Sequence, residues 1–368
     1  MRLICFAGTR PECLKLAPLA RLAAADERFA LALVSSGQHP HMVAATLAHL
    51  NLTLAASLPA IPPASMLSKS VTHMRSHARR WLEQERPDAV LVQGDTSTAY
   101  ACALAANDCR LPLAHLEAGL RTSDPMRPFP EEPFRRRITP LALWHFAPTP
   151  RAAANLLDEG VNPAAIHVVG NSIVDLLRET LAGPLPQVIP WSAHGRRLVV
   201  MTLHRRENYQ HGLLNICNAM LDLLAQHEEL CLVCPVHPNP VVGTRIRRLL
   251  AVHPRVLLTP PLPYRTFIAL LREASLVVSD SGGIQEEAGY LGTPLLVTRS
   301  ETERPEATLN GVVQLVGSKR DSLLQACMER LHAARPPACA FDAQAPFGDG
   351  QTAARVLHTL LKHKETAA

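Results

Sequence analysis

Short apolar runs of strand length alternate with helical patterns along most of this 368-residue chain. Such alternation is typical of βαβ units, which build parallel sheets. A Pro-rich stretch at 182–190 interrupts the pattern and reads as a linker between two doubly wound α/β domains. The predicted strands are 3–7, 29–35, 89–93, 113–116, 144–147 and 166–169 before the linker, and 197–203, 230–236, 256–258, 276–279 and 294–297 after it.

The composition predicts a soluble globular protein, because 47% of the residues are hydrophobic and 19% are charged. The longest apolar runs, such as 198–203, are far too short to span a membrane. Met1 and Arg2 lead directly into an apolar run, which is not a signal-peptide pattern. The nine scattered cysteines indicate reduced thiols in the cytoplasm.

A formal net charge of +5 raises the question of nucleic-acid binding. The Lys and Arg residues are dispersed and only 4% of the residues are aromatic, so stacking platforms are few. A small polyanionic substrate fits this composition better. The densest basic run, 135–137, reads as a solvated helix face.

Paired glycines follow the predicted strand 276–279. Gly282 and Gly283 let the backbone approach a ligand, and the helix that follows presents unpaired N–H groups. This pattern predicts a phosphate site. Gly292, with a proline two residues later, ends that helix.

Arg10 and Lys15 follow the first predicted strand and can both reach an anion; alternatively, they are solvated cations beside a tight turn. The segment has no G-x-G-x-x-G fingerprint, and the chain has no Walker A motif. Nicotinamide-linked oxidoreductases and P-loop enzymes are therefore disfavoured.

Carboxylates follow the next two central strands. Asp95 ends one strand, where it can act as a helix N-cap, and Glu117 ends the next. Glu131 and Glu132 open a later helix. Since carboxyl ends of parallel strands share one edge of a sheet, we expect Asp95, Glu117 and Glu131 to converge there and to divide proton-donor and proton-acceptor roles.

The second series carries cations at its strand ends. His204 and Arg205 follow its first strand, and the dense charges at 301–307 indicate a ligand-binding loop. The C-x-x-C spacing at 231–234 lies within a strand and predicts core packing. His237 lies in a predicted turn, where packing is the favoured role and an approach to the cleft is the alternative.

Eight segments resemble the UDP-N-acetylglucosamine 2-epimerase family, in the same order and at matching spacings. They are GTRPECLKLAPL, QGDTSTAYACALA, HLEAGLRT, PFPEE, HRREN, PVHPNP, SDSGGIQEEAGYLGTP and TERPEA. The resemblance implies a glycosyltransferase-B type fold, in which two Rossmann-like domains hold a UDP-sugar in an interdomain cleft. It implies domains at 1–180, with the catalytic carboxylates, and 181–350, which binds UDP, a helix within 351–368 that crosses back, and a homodimer.

The implied activity interconverts UDP-N-acetylglucosamine and UDP-N-acetylmannosamine by elimination and re-addition of UDP. Asp95 and Glu117 match positions for proton transfer at C2, Glu131 matches the second face or orients its partner, and His204 matches the leaving diphosphate. A hydrolysing epimerase that releases N-acetylmannosamine shares these motifs. A glycosyltransferase of the same fold is a third alternative.

The resemblance also implies the UDP-binding residues and requires no metal or cofactor, since a helix terminus with Arg and Lys neutralises a diphosphate. The chain departs from the family at Phe134 and Thr139, where Asn and an acid are usual. The implied binding residues are Arg10, Lys15, Arg205, Tyr264, Phe267, Ser281, Gly282, Gly283, Glu287 and Arg304.

Overall fold

The computed structural model describes residues 1–63, 65–188, 195–205 and 212–367. Residues 189 and 190 of the expected linker and residues 206–208 of the HRREN segment lie outside these ranges. Contacts divide the chain into two compact units, one formed by Met1–Glu179 with Asp342–Ala368 and the other by Thr180–Phe341.

The first unit contains a seven-stranded parallel sheet in the order β3-β2-β1-β4-β5-β6-β7. Its strands are β1 (Arg2–Ala7), β2 (Ala30–Ser35), β3 (Ala56–Ser57), β4 (Ala89–Gln93), β5 (Leu113–Leu116), β6 (Trp144–Ala147) and β7 (Ile166–Val168). Its helices are α1 (Arg10–Ala24), α2 (Pro40–His49), α3 (Leu67–Glu85), α4 (Ser97–Asp108), α5 (Glu131–Ile138), α6 (Pro150–Asp158) and α7 (Ser172–Ala182), which ends just beyond the unit boundary.

The second unit contains a six-stranded parallel sheet in the order β10-β9-β8-β11-β12-β13. Its strands are β8 (Arg197–Thr202), β9 (Leu230–Pro235), β10 (Val256–Thr259), β11 (Leu276–Ser279), β12 (Leu295–Val297) and β13 (Val313–Leu315). Its helices are α8 (Gly212–Gln226), α9 (Pro240–Leu250), α10 (Tyr264–Glu273), α11 (Gly282–Leu291) and α12 (Arg320–His332).

All eleven predicted strands are confirmed, with each end within one residue of the prediction. Both faces of these strands are covered, as β1 illustrates. Leu3 and Cys5 pack in one apolar cluster, whereas Ile4 and Phe6 pack in another on the opposite face. Since successive side chains of a strand point to opposite faces, a strand covered on both sides is a continuous apolar run.

The last helix, α13 (Thr352–Ala367), packs with the first unit. Its Val356 and Leu360 are fully buried in the same cluster as Leu3. The Asp175 carboxylate of α7 accepts hydrogen bonds from the backbone N–H groups of Thr352 at 3.1 Å and Ala353 at 2.8 Å. This side chain therefore satisfies two donors at the start of α13 that lack partners within the helix.

Within the described part of the chain, no helix is both long enough and apolar enough to cross a membrane.

Candidate active site

The order of the first sheet places the carboxyl ends of β1, β4 and β5 side by side. The segments that carry Lys15, Asp95 and Glu117 follow these three strands in turn. The parallel register therefore brings residues that are about 100 positions apart in sequence to one edge of the sheet, where ligands of doubly wound folds bind.

Glu117 is held in a fixed position at the end of β5. Its φ angle is +67°, in the left-handed region that side chains other than glycine rarely adopt. The ammonium group of Lys15 and the side-chain amide of Gln93 both donate hydrogen bonds to Glu117 Oε2. Lys15 and Glu117 are each about nine-tenths buried. The sequence analysis did not identify Gln93, although it directly precedes the Gly94-Asp95 pair at the end of β4.

Asp95 is paired with Arg135, which is only 2% exposed. The prediction that the basic run 135–137 is a solvated helix face was therefore wrong for Arg135. Arg135 also donates from Nη1 to Glu132 Oε2 at 3.0 Å, so that one buried guanidinium joins two carboxylates. Glu131 is the first residue of α5, one helical turn before Arg135 and on the same face.

The two departures from the family pattern have structural partners. The ring of Phe134 stacks on Tyr100 with a centroid distance of 4.8 Å. The Thr139 hydroxyl oxygen accepts a hydrogen bond from Arg121 Nη2 at 2.9 Å, and Arg121 also pairs with Glu159 at 2.6 Å. A hydroxyl therefore accepts the Arg121 hydrogen bond at the position where the family usually has an acid.

Glu12 is a buried carboxylate that the sequence analysis did not identify. Its Oε2 accepts hydrogen bonds from the Gly8 N–H at 2.9 Å and the Thr9 hydroxyl at 2.8 Å, and its Oε1 accepts one from the Thr96 hydroxyl at 2.7 Å. Burial raises the pKa of Glu12 to about 7, although these hydrogen bonds oppose the shift. Glu12 thus joins the segment after β1 to the segment after β4. Arg10 is the first residue of α1 and is partly exposed.

In the second unit, β8, β11 and β12 are neighbours, and the predicted phosphate site begins where β11 ends. Ser281 is the N-cap residue of α11, which starts at Gly282, as predicted. Gly292 ends the helix with a φ angle of +57°, also as predicted. The first turn of α11 therefore presents backbone N–H groups at the carboxyl edge of the sheet.

Gly282 and Gly283 differ in their surroundings. A Cβ atom on Gly282 would lie 2.7 Å from Arg304 Nη1, whereas the nearest atom to a Cβ on Gly283 would be Ser281 Oγ at 4.0 Å. Gly282 is therefore required for the close approach of Arg304. Among the residues that the structure describes, none crowds the position of a Cβ on Gly283, which leaves room for a ligand.

Arg304 is buried against two carboxylates. It pairs with Glu286 through Nε and with Glu303 through Nη1, and both carboxylates are fully buried. Arg299 Nη1 donates to Glu303 Oε2 at 2.9 Å, and Arg205 Nη2 lies 3.6 Å from Glu303 Oε1. Two predicted binding residues, Arg205 and Arg304, therefore meet at one buried acid that the sequence analysis grouped only as part of a charged loop.

His204 lies beside Asp280. Its Nδ1 is 2.9 Å from Asp280 Oδ1, and its ring stacks at 6.1 Å on the ring of His237. His237 is thus a neighbour of His204, which agrees with the alternative that His237 approaches the predicted site and does not only pack in a turn. Asp280 was missed as a functional candidate, although it stands next to the predicted phosphate-binding segment.

The predicted nucleoside-binding residues lie on α10 and α11. The Tyr264 hydroxyl donates a hydrogen bond to Glu287 Oε1 at 2.8 Å, and both residues are buried. Phe267, one turn further along α10, is partly buried. Tyr264 therefore holds the Glu287 carboxylate in place and does more than pack on a helix face.

Cys231 and Cys234 both lie within β9 and are buried, as predicted. Burial raises the pKa of both thiols. Among the residues that the structure describes, no group of three or more His, Cys, Asp or Glu side chains is placed to hold a metal ion.

Known proteins resemble this chain over its whole length. The profile of the UDP-N-acetylglucosamine 2-epimerase family matches residues 21–361. The Salmonella typhimurium UDP-N-acetylglucosamine 2-epimerase is 36% identical over 373 residues, which cover 99% of each chain.

Solved structures also resemble this chain over nearly its whole length. The Neisseria meningitidis UDP-GlcNAc 2-epimerase bound to UDP-GlcNAc has a TM-score of 0.91 and 34% identity, covering 98% of this chain and 100% of that one. The Staphylococcus aureus MnaA structure with UDP also has a TM-score of 0.91 and 34% identity, covering 99% and 97%. The expected fold class, two Rossmann-like domains of the glycosyltransferase-B type, is confirmed. From profile, sequence and fold alike, the chain belongs to the UDP-N-acetylglucosamine 2-epimerase family.

Proposed function

We propose that this chain interconverts UDP-N-acetylglucosamine and UDP-N-acetylmannosamine by eliminating UDP and adding it back. The C2 proton of the sugar has no adjacent carbonyl group, so simple deprotonation faces a very high barrier. If the C1–O bond to UDP breaks as the C2 proton is removed, the electron pair forms a C1–C2 double bond. Return of a proton to the opposite face of C2, with re-addition of UDP at C1, gives the epimer.

Asp95 and Glu117 carry the proton transfers at C2 in this mechanism. Lys15 and Arg135 offset the charges of these two carboxylates, which would otherwise repel each other near one sheet edge. The constrained backbone of Glu117 and its two donors hold it in place before substrate arrives, as general acid–base catalysis requires. Glu131, one turn before Arg135, serves the second face of the sugar or orients its partner acid.

The departing diphosphate is bound by the second unit. The first turn of α11, at Ser281 to Gly283, offers N–H donors, and a helix N-terminus favours anions. His204 and Arg205 add side-chain donors to the diphosphate, and Arg304, which lies close to Gly282, is a further cation at this helix N-terminus. Arg10 and Lys15, which follow β1, are the proposed substrate-binding residues of the first unit.

Glu287 accepts hydrogen bonds from the ribose hydroxyls. The Tyr264 hydroxyl fixes its carboxylate, so that two acceptor positions are preset. Tyr264 and Phe267 border the uracil ring on α10.

One observation carries this proposal. Two cation-paired carboxylates, Asp95 and Glu117, stand at the ends of the adjacent strands β4 and β5, in a chain that belongs to this family. A glycosyltransferase of the same fold needs the diphosphate site but not two acids at that edge.

The test follows the C2 proton. The protein is incubated with UDP-N-acetylglucosamine in D₂O and the mixture is followed by ¹H NMR. We expect UDP-N-acetylmannosamine that carries deuterium at C2, together with loss of the H2 signal from the remaining substrate. Asp95→Asn and Glu117→Gln, as matched isosteric variants, should suppress both changes.

Other products would contradict the proposal. Free UDP together with free N-acetylmannosamine would identify a hydrolysing epimerase. An unchanged mixture would favour a glycosyltransferase.

We also infer a homodimer in the cytoplasm. The dimer rests on the family resemblance. The location rests on nine free thiols, seven of them buried, since free thiols persist in reducing compartments. Sedimentation velocity should give twice the chain mass of 40.1 kDa. A single species at the mass of one chain would contradict the dimer.

A further inference from the structure

Asp280 lies where β11 ends, and its carboxylate is fully buried. Three donors of the segment after β8 surround it. The His204 backbone N–H donates to Oδ1 at 3.0 Å and lies 3.2 Å from Oδ2, while the Arg205 backbone N–H donates to Oδ2 at 3.0 Å. The third is the His204 ring, whose Nδ1 is 2.9 Å from Oδ1.

A carboxylate without its proton only accepts hydrogen bonds, so the ring nitrogen that faces it must carry hydrogen. The neutral His204 ring is then the Nδ1–H tautomer, and its Nε2 holds the lone pair. When the ring gains a second proton, that proton is on Nε2. The nitrogen opposite Asp280 therefore takes up and delivers the proton.

We propose that Asp280 is a positioning residue for His204: it fixes the ring orientation and the Nδ1–H tautomer, so that Nε2 handles the proton of the departing diphosphate. This role rests on the proposed function of His204. As UDP leaves C1, the doubly protonated ring transfers its Nε2 proton to a terminal phosphate oxygen and becomes the neutral Nδ1–H tautomer. As UDP returns, Nε2 takes the proton back, and the cycle balances without another reactant.

The variant Asp280→Asn separates this role from loop anchoring. Because Oδ2 is within hydrogen-bond distance of both backbone N–H groups, one amide oxygen can keep both bonds. The amide NH₂ then replaces Oδ1 and donates to His204 Nδ1. The variant thus keeps the two hydrogen bonds from the backbone of His204 and Arg205. It moves the hydrogen of the neutral His204 ring from Nδ1 to Nε2.

The tautomer is measured in the full-length protein without substrate. Long-range ¹H–¹⁵N NMR of ¹⁵N-histidine-labelled protein distinguishes the two ring nitrogens, and the His204→Gln variant identifies the His204 signals by their loss. We expect an Nδ1–H tautomer in the parent chain and an Nε2–H tautomer in Asp280→Asn. An Nε2–H tautomer in the parent chain, or the same tautomer in both, overturns the proposal, and the parent result decides even if the variant does not fold.

Steady-state kinetics test whether Asp280 acts through His204. Asp280→Asn should lower kcat by about 100-fold, within the range of general acid–base catalysis, with a smaller change in KM. In the His204→Gln background, the same substitution should change kcat less than twofold, because it acts through the missing ring. An equal loss in both backgrounds would show that Asp280 only anchors the loop. If the parent chain lacks epimerase activity, the proposed function fails, while the NMR result still decides the tautomer.

Discussion

The two units hold their functional charges in opposite ways. In the first unit, buried cations support acids, since Lys15 pairs with Glu117 and Arg135 pairs with Asp95. The acids react in the proposed mechanism, and the cations fix them.

In the second unit, buried acids support cationic or polar groups. Asp280 lies against His204, and Glu286 and Glu303 enclose Arg304. In this unit the acids fix the positions of the cationic or polar groups. The sign of a residue near a site therefore does not reveal whether it reacts or supports, because in both units a buried group lies against a partner of different polarity.

Replacing Glu117 should have the largest effect. Glu117→Gln keeps the shape but cannot transfer the proton, so we expect kcat to fall by about 10²–10⁴-fold. Stability should fall as well, because the buried Lys15 ammonium loses its carboxylate partner. The control is Asp108→Asn. Asp108 also accepts two hydrogen bonds from one arginine, Arg75, at 2.6 and 2.7 Å, but on the exposed surface, and its kcat should stay within twofold. Comparable losses in both variants would contradict the assignment.

Removing a supporting cation tests the first half of the comparison. Lys15→Met leaves the buried Glu117 carboxylate without its ammonium group, so the free energy of unfolding should drop by about 3–5 kcal/mol in urea denaturation. The double variant Lys15→Met with Glu117→Gln should recover most of this loss.

Arg304→Met tests the second half of the comparison, in the second unit. It should lower the free energy of unfolding by a similar amount, since Glu286 is fully buried.

The control for both substitutions is Arg320→Met. Arg320 pairs with Asp222 at 2.6 Å, but its side chain is 48% exposed. Exposed pairs contribute about 0–1 kcal/mol. If Lys15→Met costs no more than this control, the first unit does not depend on a buried pair.

Glu12 extends the comparison of the two units to a buried acid that accepts hydrogen bonds from neutral groups. Its pKa in the folded chain is about 7, above the ordinary value of 4.5. Between these two pH values the folded state binds more protons than the unfolded state, so the stability that Glu12 contributes is lost as pH rises. The total loss is of order 3 kcal/mol, at about 1.4 kcal/mol per pKa unit.

The measurement compares the parent chain with Glu12→Gln in urea denaturation at several pH values from 4.5 to 8. The parent should lose stability relative to the variant as pH rises. Asp175, whose pKa burial raises to about 6, titrates with the same sign in both proteins and cancels. A difference that does not depend on pH would contradict this prediction.

The adjacent glycines of α11 should give the smallest and most selective effects. Gly282→Ala pushes a methyl group against Arg304 and should cost about 1–3 kcal/mol of stability. Gly283→Ala meets open space, so stability should hold while UDP affinity, measured by calorimetry, falls. Equal stability losses would show that Arg304 does not require Gly282.

Much of the fold was predictable, because strands covered on both faces are continuous apolar runs. The two strands that sequence analysis missed, Ala56–Ser57 and Val313–Leu315, are short edge strands, each with a single neighbour. Too few of their residues are buried to leave a pattern.

The sequence could predict the positions of the candidate site residues, but it could not predict most of their hydrogen-bond and ion-pair partners. Asp95, Glu117 and His204 could be singled out as candidates because each follows a predicted strand, and each follows a strand in the structure. The partners of Asp95 and His204 were not found, since Arg135 is 40 residues from Asp95 and Asp280 is 76 from His204. Residues so far apart in sequence are brought into contact by the order of the strands in the sheet. A single amino-acid sequence does not reveal this order.

The packing of α13 sets an order of events during synthesis. Residues of α13 complete the cluster that contains Leu3 and Leu16 of the first unit, yet the ribosome makes them after the whole second unit. Early in synthesis, Leu16 and Leu19 of α1 can cover part of the apolar face that contains Leu3, but the part that Val356 and Leu360 cover stays exposed to solvent until the second unit has been translated.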